Sequence, residues 1–297
     1  MKKLIAIILS VITVTAILSS CAKNDLYAGY IPPEKYAQDS ITTVTFNCAA
    51  PWGNLLDGTS SSARVKRFAE YMNKVSADLI GTQEMNSDWL EKLSESMSGY
   101  ESYGVKRGGD ETEKKSEMNA IFWKKDKFSA IEKGTFWLSE TPDTESRYDG
   151  AGCNRICTWA LLENAETGNI ILFMNTHLDN ASEEAANYGA EVIKEQIVQL
   201  GEKYSFDATV LTGDFNQTQG MAAYETIESV LNDSLTSFED KKAGTYQSWG
   251  EEESTEPIDF IFLSDNTTAV NYEVLNDISE GYVSDHYGVY TEWTINE

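Results

Sequence analysis

Residues 208–216 have the sequence Ala-Thr-Val-Leu-Thr-Gly-Asp-Phe-Asn, an apolar run that ends in Gly213 and Asp214. A short apolar run that is bounded by a turn signal predicts a buried β-strand. Residues 78–84, Asp-Leu-Ile-Gly-Thr-Gln-Glu, show the same pattern, an apolar run that ends in polar residues, here Gln83 and Glu84. Loops that follow strands often carry functional residues, so both acids are candidates for a site at the end of a sheet.

Short β-rich runs alternate with helical stretches over the rest of the chain. A helix is predicted at Ser61–Val75, where apolar residues recur with helical spacing. Further helices are predicted at Ser182–Tyr204, which is rich in alanine and glutamate, and at Met221–Leu231. Strands are predicted at Ile41–Asn47, Asp78–Glu84, Asn119–Trp123, Ile156–Leu162, Asn169–Thr176, Ala208–Thr212, Ile258–Leu263 and Tyr287–Trp293. Mixed elements with several adjacent strands predict an α/β fold of two mixed sheets packed face to face, with helices outside.

The N-terminus has the features of an export signal. Two lysines precede an uncharged, mostly apolar run at residues 4–18, which is short for a membrane span of roughly 20 residues. The run closes with a Ser-Cys junction similar to that of bacterial lipoproteins. We therefore expect a signal peptide at 1–20, a lipidated tether at 21–40 that begins with Cys21, and a folded domain at 41–297. The alternatives are a plain signal peptide or an uncleaved anchor.

The chain is acidic, with 23 lysines and arginines, 48 aspartates and glutamates, and a formal charge of −25. Removal of residues 1–20, which hold two lysines and no acids, takes this charge from −25 to −27. Sequence-independent binding to nucleic acid depends on lysine and arginine contacts, so we disfavour a long polyanionic substrate. Three cysteines follow Cys21, namely Cys48, Cys153 and Cys157, and their spacing is not that of a zinc site.

Polar residues collect at the ends of the predicted strands. Both histidines of the chain are among them, and each lies close to an acid, in His177-Leu178-Asp179 and in Asp285-His286. The full set is Asn47, Glu84, His177, Asp179, Asp214, Asn216, Asp259, Asp285 and His286. Taken singly, each has a milder structural explanation, such as a turn or a solvated strand end. Taken together, they suit the hydrolysis of a phosphoester with a divalent cation.

The acids and amides of this set are suited to bind the metal and to orient the attacking water. Hard cations prefer oxygen ligands, and Glu84 and Asp285 are suited to Mg²⁺, with Mn²⁺ as the alternative. Asp214 is suited to orient and deprotonate the attacking water, and Asn216 to donate to phosphoryl oxygens. The metal would then stabilise charge on those oxygens.

The histidines are suited to stabilise charge and to transfer a proton. Asp259 behind His286 would form a carboxylate–imidazole pair that fixes the tautomer of the ring and stabilises charge. His177 is suited to donate to a phosphate oxygen or to the leaving group. We therefore expect the two histidines to lie at one site, although they are far apart in the sequence.

Six pieces of the sequence resemble the endonuclease/exonuclease/phosphatase superfamily, which has the deoxyribonuclease-I-like fold. They are Thr45–Asn47, Asp78–Glu84, Asn175–Asp179, Thr212–Asn216, Ile258–Ile261 and Ser284–His286. The Gln-Glu, Gly-Asp-Phe-Asn and Ser-Asp-His pieces are specific in that order, and the likeness covers nearly all of the chain after residue 40. It implies a four-layer α/β/β/α sandwich with the site at one end of two packed sheets.

The resemblance also implies a role for each site residue. Glu84 would be the main metal ligand, supported by Asn47 and Asp285. Residues 136–142 and 154–156 are similar to a bacterial branch of exported or cytosolic phosphoesterases, in which Arg155 would face the phosphate through a bidentate guanidinium. The substrate-binding set is then Arg155, Asn216 and His177, and the catalytic set is Asp214, Asn216, His286, Asp259 and His177.

We therefore expect a monomeric, Mg²⁺-dependent phosphodiesterase or phosphatase that acts on a small phosphoester in the cell envelope, where lipid would hold it to the membrane. The acidic run Glu251–Glu256, just before Asp259, opposes a substrate with several phosphates. The alternatives are an exported nuclease, a lipid-headgroup phosphodiesterase or, in a different class, a non-catalytic binding lipoprotein. A basic cluster of Lys114, Lys115, Lys124, Lys125 and Lys127 would favour the nuclease if it lined the mouth of the site.

Overall fold

A computed structural model describes residues 26–52, 59–109, 116–252 and 254–296, so that the predicted lipidation site, Cys21, lies outside the described residues. The described residues form twelve strands and four α-helices. The strands are β1 (Ile41–Asn47), β2 (Leu79–Gln83), β3 (Tyr100–Tyr103), β4 (Ile121–Lys124), β5 (Phe128–Trp137), β6 (Ile156–Asn164), β7 (Ile170–His177), β8 (Ala208–Asp214), β9 (Asn232–Asp233), β10 (Asp259–Leu263), β11 (Thr267–Leu275) and β12 (Gly288–Ile295). The α-helices are α1 (Ser61–Val75), α2 (Ser87–Ser96), α3 (Glu183–Lys203) and α4 (Ala222–Glu228), and two 3₁₀-helices lie at Ser234–Lys241 and Ser248–Gly250.

The strands form two mixed sheets of six strands each. One has the order β11-β12-β1-β2-β4-β3, and the other has the order β5-β6-β7-β8-β10-β9. Apolar side chains of both sheets, such as Trp123, Phe173 and Trp293, form one core between them. A second core lies under α1 and α2, and a third under α3 and α4. The layers are therefore α/β/β/α, and the predicted fold class is confirmed.

Helix α1 shows how the sequence specifies these elements. Ser60 accepts a hydrogen bond from the backbone N–H of Ala63 and so caps the helix. Its buried stripe includes Phe68 and Met72, which pack on the first sheet. The helix ends where Ser76 adopts a left-handed backbone with φ of 54°.

The strand register brings the polar strand ends to one edge of the sandwich. Strands β1 and β2 are parallel, with Asn47 opposite Gln83, and strands β7 and β8 are parallel, with His177 opposite Asp214. Strand β10 is antiparallel to β8 and places Asp259 opposite Asp214. The loop before β12 reaches the same edge, because β12 runs antiparallel to β1.

The segment from Leu26 to Ser40, within the predicted tether, contacts the domain. Tyr27 is 1% exposed, and its ring stacks on that of Tyr71 at 4.8 Å between centroids. The carboxylate of Glu292, on β12, is fully buried and accepts hydrogen bonds from the backbone of Tyr36 and Ala37 and from the hydroxyl of Ser40. These contacts join the segment to the first sheet.

The described lysines of the predicted basic cluster do not line the site. Lys127 Nζ lies 2.6 Å from Oδ2 of Asp78, and Lys124 Nζ lies 3.4 Å from Oδ1 of the same carboxylate. Asp78 immediately precedes β2, whereas Glu84 follows it, so these lysines lie at the edge opposite the polar strand ends. Lys124 and Lys127 therefore do not line the mouth of the site, which is the placement that would have favoured the nuclease, and Lys114 and Lys115 lie outside the described residues.

None of the helices in the described part of the chain has the length and apolar content that a membrane crossing requires.

Cys48, Cys153 and Cys157 are free thiols.

Candidate active site

A cavity of about 280 Å³ opens at the edge of the sandwich where the polar strand ends meet. It lies between the two sheets, because its lining comes from the ends of β2, β7 and β8 and from the loops before β10 and β12. Its lining residues are Glu84, His177, Asn180, Asp214, Asn216, Tyr246, Ile258, Asp285 and His286. Six of the nine predicted strand-end residues therefore line this cavity, as the strand-end pattern predicts. Asn47 and Asp259 contact lining residues from behind, and Asp179 does not line the cavity.

Asn47 joins the two acids at the centre of the site. Its amide nitrogen donates to Oε1 of Glu84 at 3.1 Å and to Oδ2 of Asp214 at 2.9 Å. Its amide oxygen accepts from the backbone N–H of Ala49 at 3.0 Å, which fixes the orientation of the amide. Glu84 has a left-handed backbone with φ of 51°, which is uncommon for a residue of this kind and is typical of functional sites.

Asp214 and His286 lie side by side at the cavity wall, and both side chains are almost completely buried. Oδ2 of Asp214 is 3.7 Å from Nε2 of His286, and Nδ1 of His286 is 2.9 Å from Oδ2 of Asp259. Burial raises the pKa of Asp214 to about 7, and the charge of Asp259 adds to this effect. Burial alone would lower the pKa of His286, but the charges of Asp259 and Asp214 outweigh it and raise that pKa to about 10.

His177 lies on the other side of Asp214 and is held by Asn216. The amide nitrogen of Asn216 donates to the carbonyl of Leu178 at 3.0 Å and contacts Nε2 of His177 at 2.9 Å. Because an amide nitrogen only donates, Nε2 of His177 accepts, and the ring is neutral with its proton on Nδ1. Burial lowers the pKa of His177 well below its usual value, and the positive charges of Arg155 and Arg107 lower it further.

This arrangement differs in detail from the predicted role of Asn216. Both N–H groups of its amide are used inside the protein, so the amide orients His177 and does not donate towards the cavity. The backbone N–H of Asn216 also donates to Oδ1 of Asp214 at 2.9 Å. In this structure Asn216 therefore positions the two neighbouring catalytic candidates.

Arg155 forms a buried ion pair and does not line the cavity. Its Nε lies 3.2 Å from Oδ2 of Asp179, and its Nη2 donates to Oδ1 of Asn180 at 2.9 Å. The side chain of Arg155 is 7% exposed, and its Nη1 has no hydrogen-bond partner among the described residues. Asp179 also accepts from the backbone N–H groups of Gly152, Ala181 and Ser182. Asn180, which the sequence analysis did not identify, lies between Arg155 and the cavity.

A loop before β10 covers the histidine side of the site. Tyr246 lines the cavity, and its ring lies 5.1 Å from that of His286 between centroids. The side chain of Gln247 donates to the backbone carbonyl of Ser284. The backbone N–H of Gln247 donates to the backbone carbonyl of Asp285. The loop therefore holds the Ser284–His286 segment in place, and its aromatic residue faces the site.

Two groups of residues have the chemistry to bind a divalent cation. The ligand atoms of Asp214, Asp259 and His286 lie within 4.8 Å of one another, but Asp259 and His286 already bond each other. Glu84 and Asp285 are only partly buried and both line the cavity, so their carboxylate oxygens are accessible. Because hard cations prefer oxygen ligands, the Glu84–Asp285 side fits Mg²⁺ better.

The chain is similar to known proteins over most of its length. A family model described as Endonuclease/Exonuclease/phosphatase family matches residues 44–286. The chain is also 32% identical to a solved mannosyl-6-phosphatase of Bacteroides thetaiotaomicron, with 86% of this chain and 100% of that chain covered and a TM-score of 0.78.

The chain belongs to the endonuclease/exonuclease/phosphatase family.

Other solved structures are similar to the chain. A functionally unknown protein of Enterococcus faecalis is 26% identical, with a TM-score of 0.74 over 86% of this chain and 100% of that chain. The human nocturnin catalytic domain is 17% identical, with a TM-score of 0.68 over 86% of this chain and 94% of that chain, and so shares the fold. A search of curated proteins finds no match. Members of the endonuclease/exonuclease/phosphatase family hydrolyse phosphoesters, and this chain is a hydrolase of that superfamily.

Proposed function

We propose that this endonuclease/exonuclease/phosphatase family member is a metal-dependent hydrolase of small phosphoesters, and that sugar phosphates are its first candidate substrates. The observation that carries the proposal is the cavity itself, where Asp214 lies between the Asp259–His286 pair and Glu84. Its volume of about 280 Å³ lies just below the usual range of ligand pockets, roughly 300–1,000 Å³, which suits a small substrate. The family relative that is a mannosyl-6-phosphatase supports the choice of a sugar phosphate.

The residues of the cavity suit an in-line attack by water. Asp214, whose raised pKa is about 7, accepts the proton of the attacking water. His286 keeps its proton, because the charges of Asp259 and Asp214 raise its pKa to about 10, and it stabilises charge that develops on the phosphoryl group. A divalent cation at Glu84 and Asp285, when bound, supplies further stabilisation at the phosphoryl oxygens.

The charge around the site favours a small substrate over a duplex. Glu251 and Glu252 are exposed on the loop that leads to Asp259, and Glu256, which is also exposed, pairs with Lys242 at 2.6 Å. Lys124 and Lys127 lie at the far edge and pair with Asp78, so they do not offset this charge at the site. A duplex binder gains affinity from lysine and arginine contacts to phosphates. An exported nuclease and a lipid-headgroup phosphodiesterase are therefore the alternatives that an assay must exclude.

The deciding experiment is a substrate panel with purified residues 22–297 in Mg²⁺. The panel contains mannose 6-phosphate, glucose 6-phosphate, p-nitrophenyl phosphate, bis-p-nitrophenyl phosphate, plasmid DNA, RNA and sphingomyelin, and Asp214→Asn is the control for contaminating activity. We expect the highest kcat/KM on a sugar phosphate. Faster cleavage of DNA, RNA or sphingomyelin at matched phosphate concentration would replace the proposal with the corresponding alternative.

We also propose that Cys21 carries lipid and holds the domain at the membrane of the cell envelope. The backbone N–H of Leu26 donates to Oε2 of Glu70 at 3.1 Å, so the chain already contacts the domain there. Five residues of extended chain span roughly 17 Å, so a lipid on Cys21 would hold the domain close to the membrane. Mass spectrometry of the native N-terminus tests this proposal, with Cys21→Ser as the control. An unmodified Cys21 in the native protein would exclude it.

A further inference from the structure

Arg64, on the first turn of α1, lies fully buried behind the cavity. Its Nη1 donates to the carbonyl of Cys48 at 3.0 Å and to that of Val283 at 2.6 Å. Its Nη2 donates to the carbonyl of Ala49 at 2.6 Å and to that of Trp52. One guanidinium therefore joins the loop that follows β1 to the loop that precedes the Ser284–His286 segment.

The guanidinium of Arg64 lies over two aromatic rings. Its central carbon is 5.1 Å from the ring centroid of Trp89 and 4.8 Å from that of Trp249. Both distances are within the roughly 6 Å over which a cation is attracted to an aromatic face. Lysine could not reproduce this arrangement, because its ammonium lacks both the planar face and the fork of five N–H donors.

Arg64 also supports backbone conformations that are unfavourable by themselves. Ala49 has φ of 45° and Trp249 has φ of 60°, and both values lie in the left-handed region that residues with a side chain rarely adopt. Such conformations persist only where surrounding contacts hold them. Arg64 provides a contact to each, through the carbonyl of Ala49 and the ring of Trp249.

The loops that Arg64 joins carry the predicted metal ligands. The backbone N–H of Ala49 donates to the amide oxygen of Asn47, and that of Ala50 donates to the carbonyl of Glu84 at 3.1 Å. Ser284, which follows Val283, donates from its hydroxyl to the carbonyl of Asn47 at 2.6 Å and contacts Asp285. A shift of either loop would therefore change the distance between Glu84 and Asp285.

We propose that Arg64 is a positioning residue that sets the spacing of Glu84, Asn47 and Asp285 and so the affinity of the site for a divalent cation. The inference rests on the proposed metal site, but it concerns cation affinity and not the identity of the substrate. Residues that orient metal ligands without touching the metal typically change metal affinity or activity by about 10–100-fold when they are replaced.

The experiment measures Mn²⁺ binding to Arg64→Lys by isothermal titration calorimetry at 10 °C, with circular dichroism to confirm folding. The control is Arg67→Lys, the same change three residues further along α1 at a half-buried position. We expect Arg64→Lys to bind Mn²⁺ at least tenfold more weakly, as an outer-shell partner would, and Arg67→Lys to bind it like the wild type. The Mg²⁺ concentration for half-maximal activity should rise in parallel, while the KM for substrate at saturating Mg²⁺ changes little.

Each other outcome has a distinct meaning. If Arg64→Lys lowers only the melting temperature and binds Mn²⁺ like the wild type, Arg64 is structural and the inference is wrong. If the wild type binds Mn²⁺ but cleaves no phosphoester of the panel, the proposed function fails and the inference stands. If the wild type binds no Mn²⁺, both fail. If Arg64→Lys does not fold, Trp249→Leu tests the same support from the aromatic side, and unchanged Mn²⁺ binding in that variant would contradict the inference.

Discussion

Nδ1 of His286 lies 2.9 Å from Oδ2 of Asp259, and both side chains are almost completely buried. Because an ionised carboxylate only accepts, the imidazole donates through Nδ1 and presents Nε2 to Asp214. We expect Asp259→Asn to lower kcat by roughly 10²–10³-fold, the usual cost of losing one group that stabilises charge, because it removes the charge of Asp259 that raises the pKa of His286. Steady-state kinetics on the best substrate of the panel measure the effect. Turnover at the wild-type level in a folded variant would show that the pair has no part in catalysis.

Asp214 is the second residue whose replacement should affect turnover more than binding. Asparagine keeps the shape of the side chain but cannot accept a proton from water, and its single amide oxygen can accept from only one of the two donors of Asp214, which are the amide of Asn47 and the backbone N–H of Asn216. We therefore expect Asp214→Asn to lower kcat by several orders of magnitude with a small change in KM, as for a group that acts in the transition state. A variant that raised KM and kept kcat would place Asp214 at substrate binding and not at the attacking water.

Glu84 should be required for the metal. We expect Glu84→Gln to fold normally and to lose most of its Mn²⁺ affinity and activity, because glutamine removes the charge that a hard cation needs. Glu95→Gln, an exposed position on α2, is the matched control. Calorimetric Mn²⁺ titration and activity in EDTA, followed by Mg²⁺ addition, measure the effect. Full activity in EDTA would refute metal dependence altogether.

Salt should affect hydrolysis only weakly. A protein that makes 6–10 contacts with nucleic-acid phosphates loses about 10³–10⁵-fold in affinity between 50 and 200 mM salt. A small phosphoester makes too few contacts for such a loss, so we expect kcat/KM to change by less than about tenfold over this range. Lys125→Glu, in the turn at the far edge of the sheet, should leave activity unchanged. Rapid DNA cleavage that falls steeply with salt would favour the nuclease.

Asp78 should stabilise the fold in a pH-dependent way. Burial raises its pKa, but the charges of Lys127 and Lys124 outweigh burial and hold the pKa below the usual value of 3.8. Its contribution is therefore fully present above pH 3.8 and is lost as the pH falls through the lower pKa of the folded state. Removal of one partner of a buried ion pair lowers the free energy of unfolding by about 3–5 kcal/mol. We expect Asp78→Asn to lower it by about 3 kcal/mol at pH 7.

Urea denaturation measures this difference in the free energy of unfolding. The gap between wild type and Asp78→Asn should narrow steadily below about pH 4, where Asp78 is protonated in the unfolded chain. Asp126→Asn, an exposed acid of the same region, is the control that should show no such gap. A gap that stays constant from pH 7 to pH 3 would mean that the contribution of Asp78 does not depend on its charge.

The buried strands and the polar residues at their ends could be predicted from the sequence, because apolar runs that end in polar residues indicate buried strands with functional ends. Elements at the edges of the sheets were missed. Strand β5 carries the exposed residues Glu132 and Lys133, and strand β11 is only partly buried, so neither has a strong apolar pattern. Helix α2 buries only two residues, Trp89 and Leu93, so its apolar residues form too short a periodic pattern to predict a helix.

Spatial relationships between distant residues could not be predicted in the same way. The sequence places lysines near residue 124 but does not show at which edge of the sheet they lie, which depends on the antiparallel register of β4 with β2. Asn180 and Tyr246 reach the cavity from loops, where no periodic pattern indicates direction. The orientation of the Asn216 amide depends on the carbonyl of Leu178, a backbone group that no sequence pattern identifies.

The buried carboxylate of Glu292 has a practical consequence for recombinant work. A truncated protein that starts at Ile41 would lack the donors that Tyr36, Ala37 and Ser40 provide to this carboxylate. Burial of a charge without partners is costly, so such a truncation should yield an unstable or insoluble product, although it keeps every strand and every residue of the cavity. Expression vectors, fusion joints and crystallisation trials should therefore place their boundary ahead of Leu26.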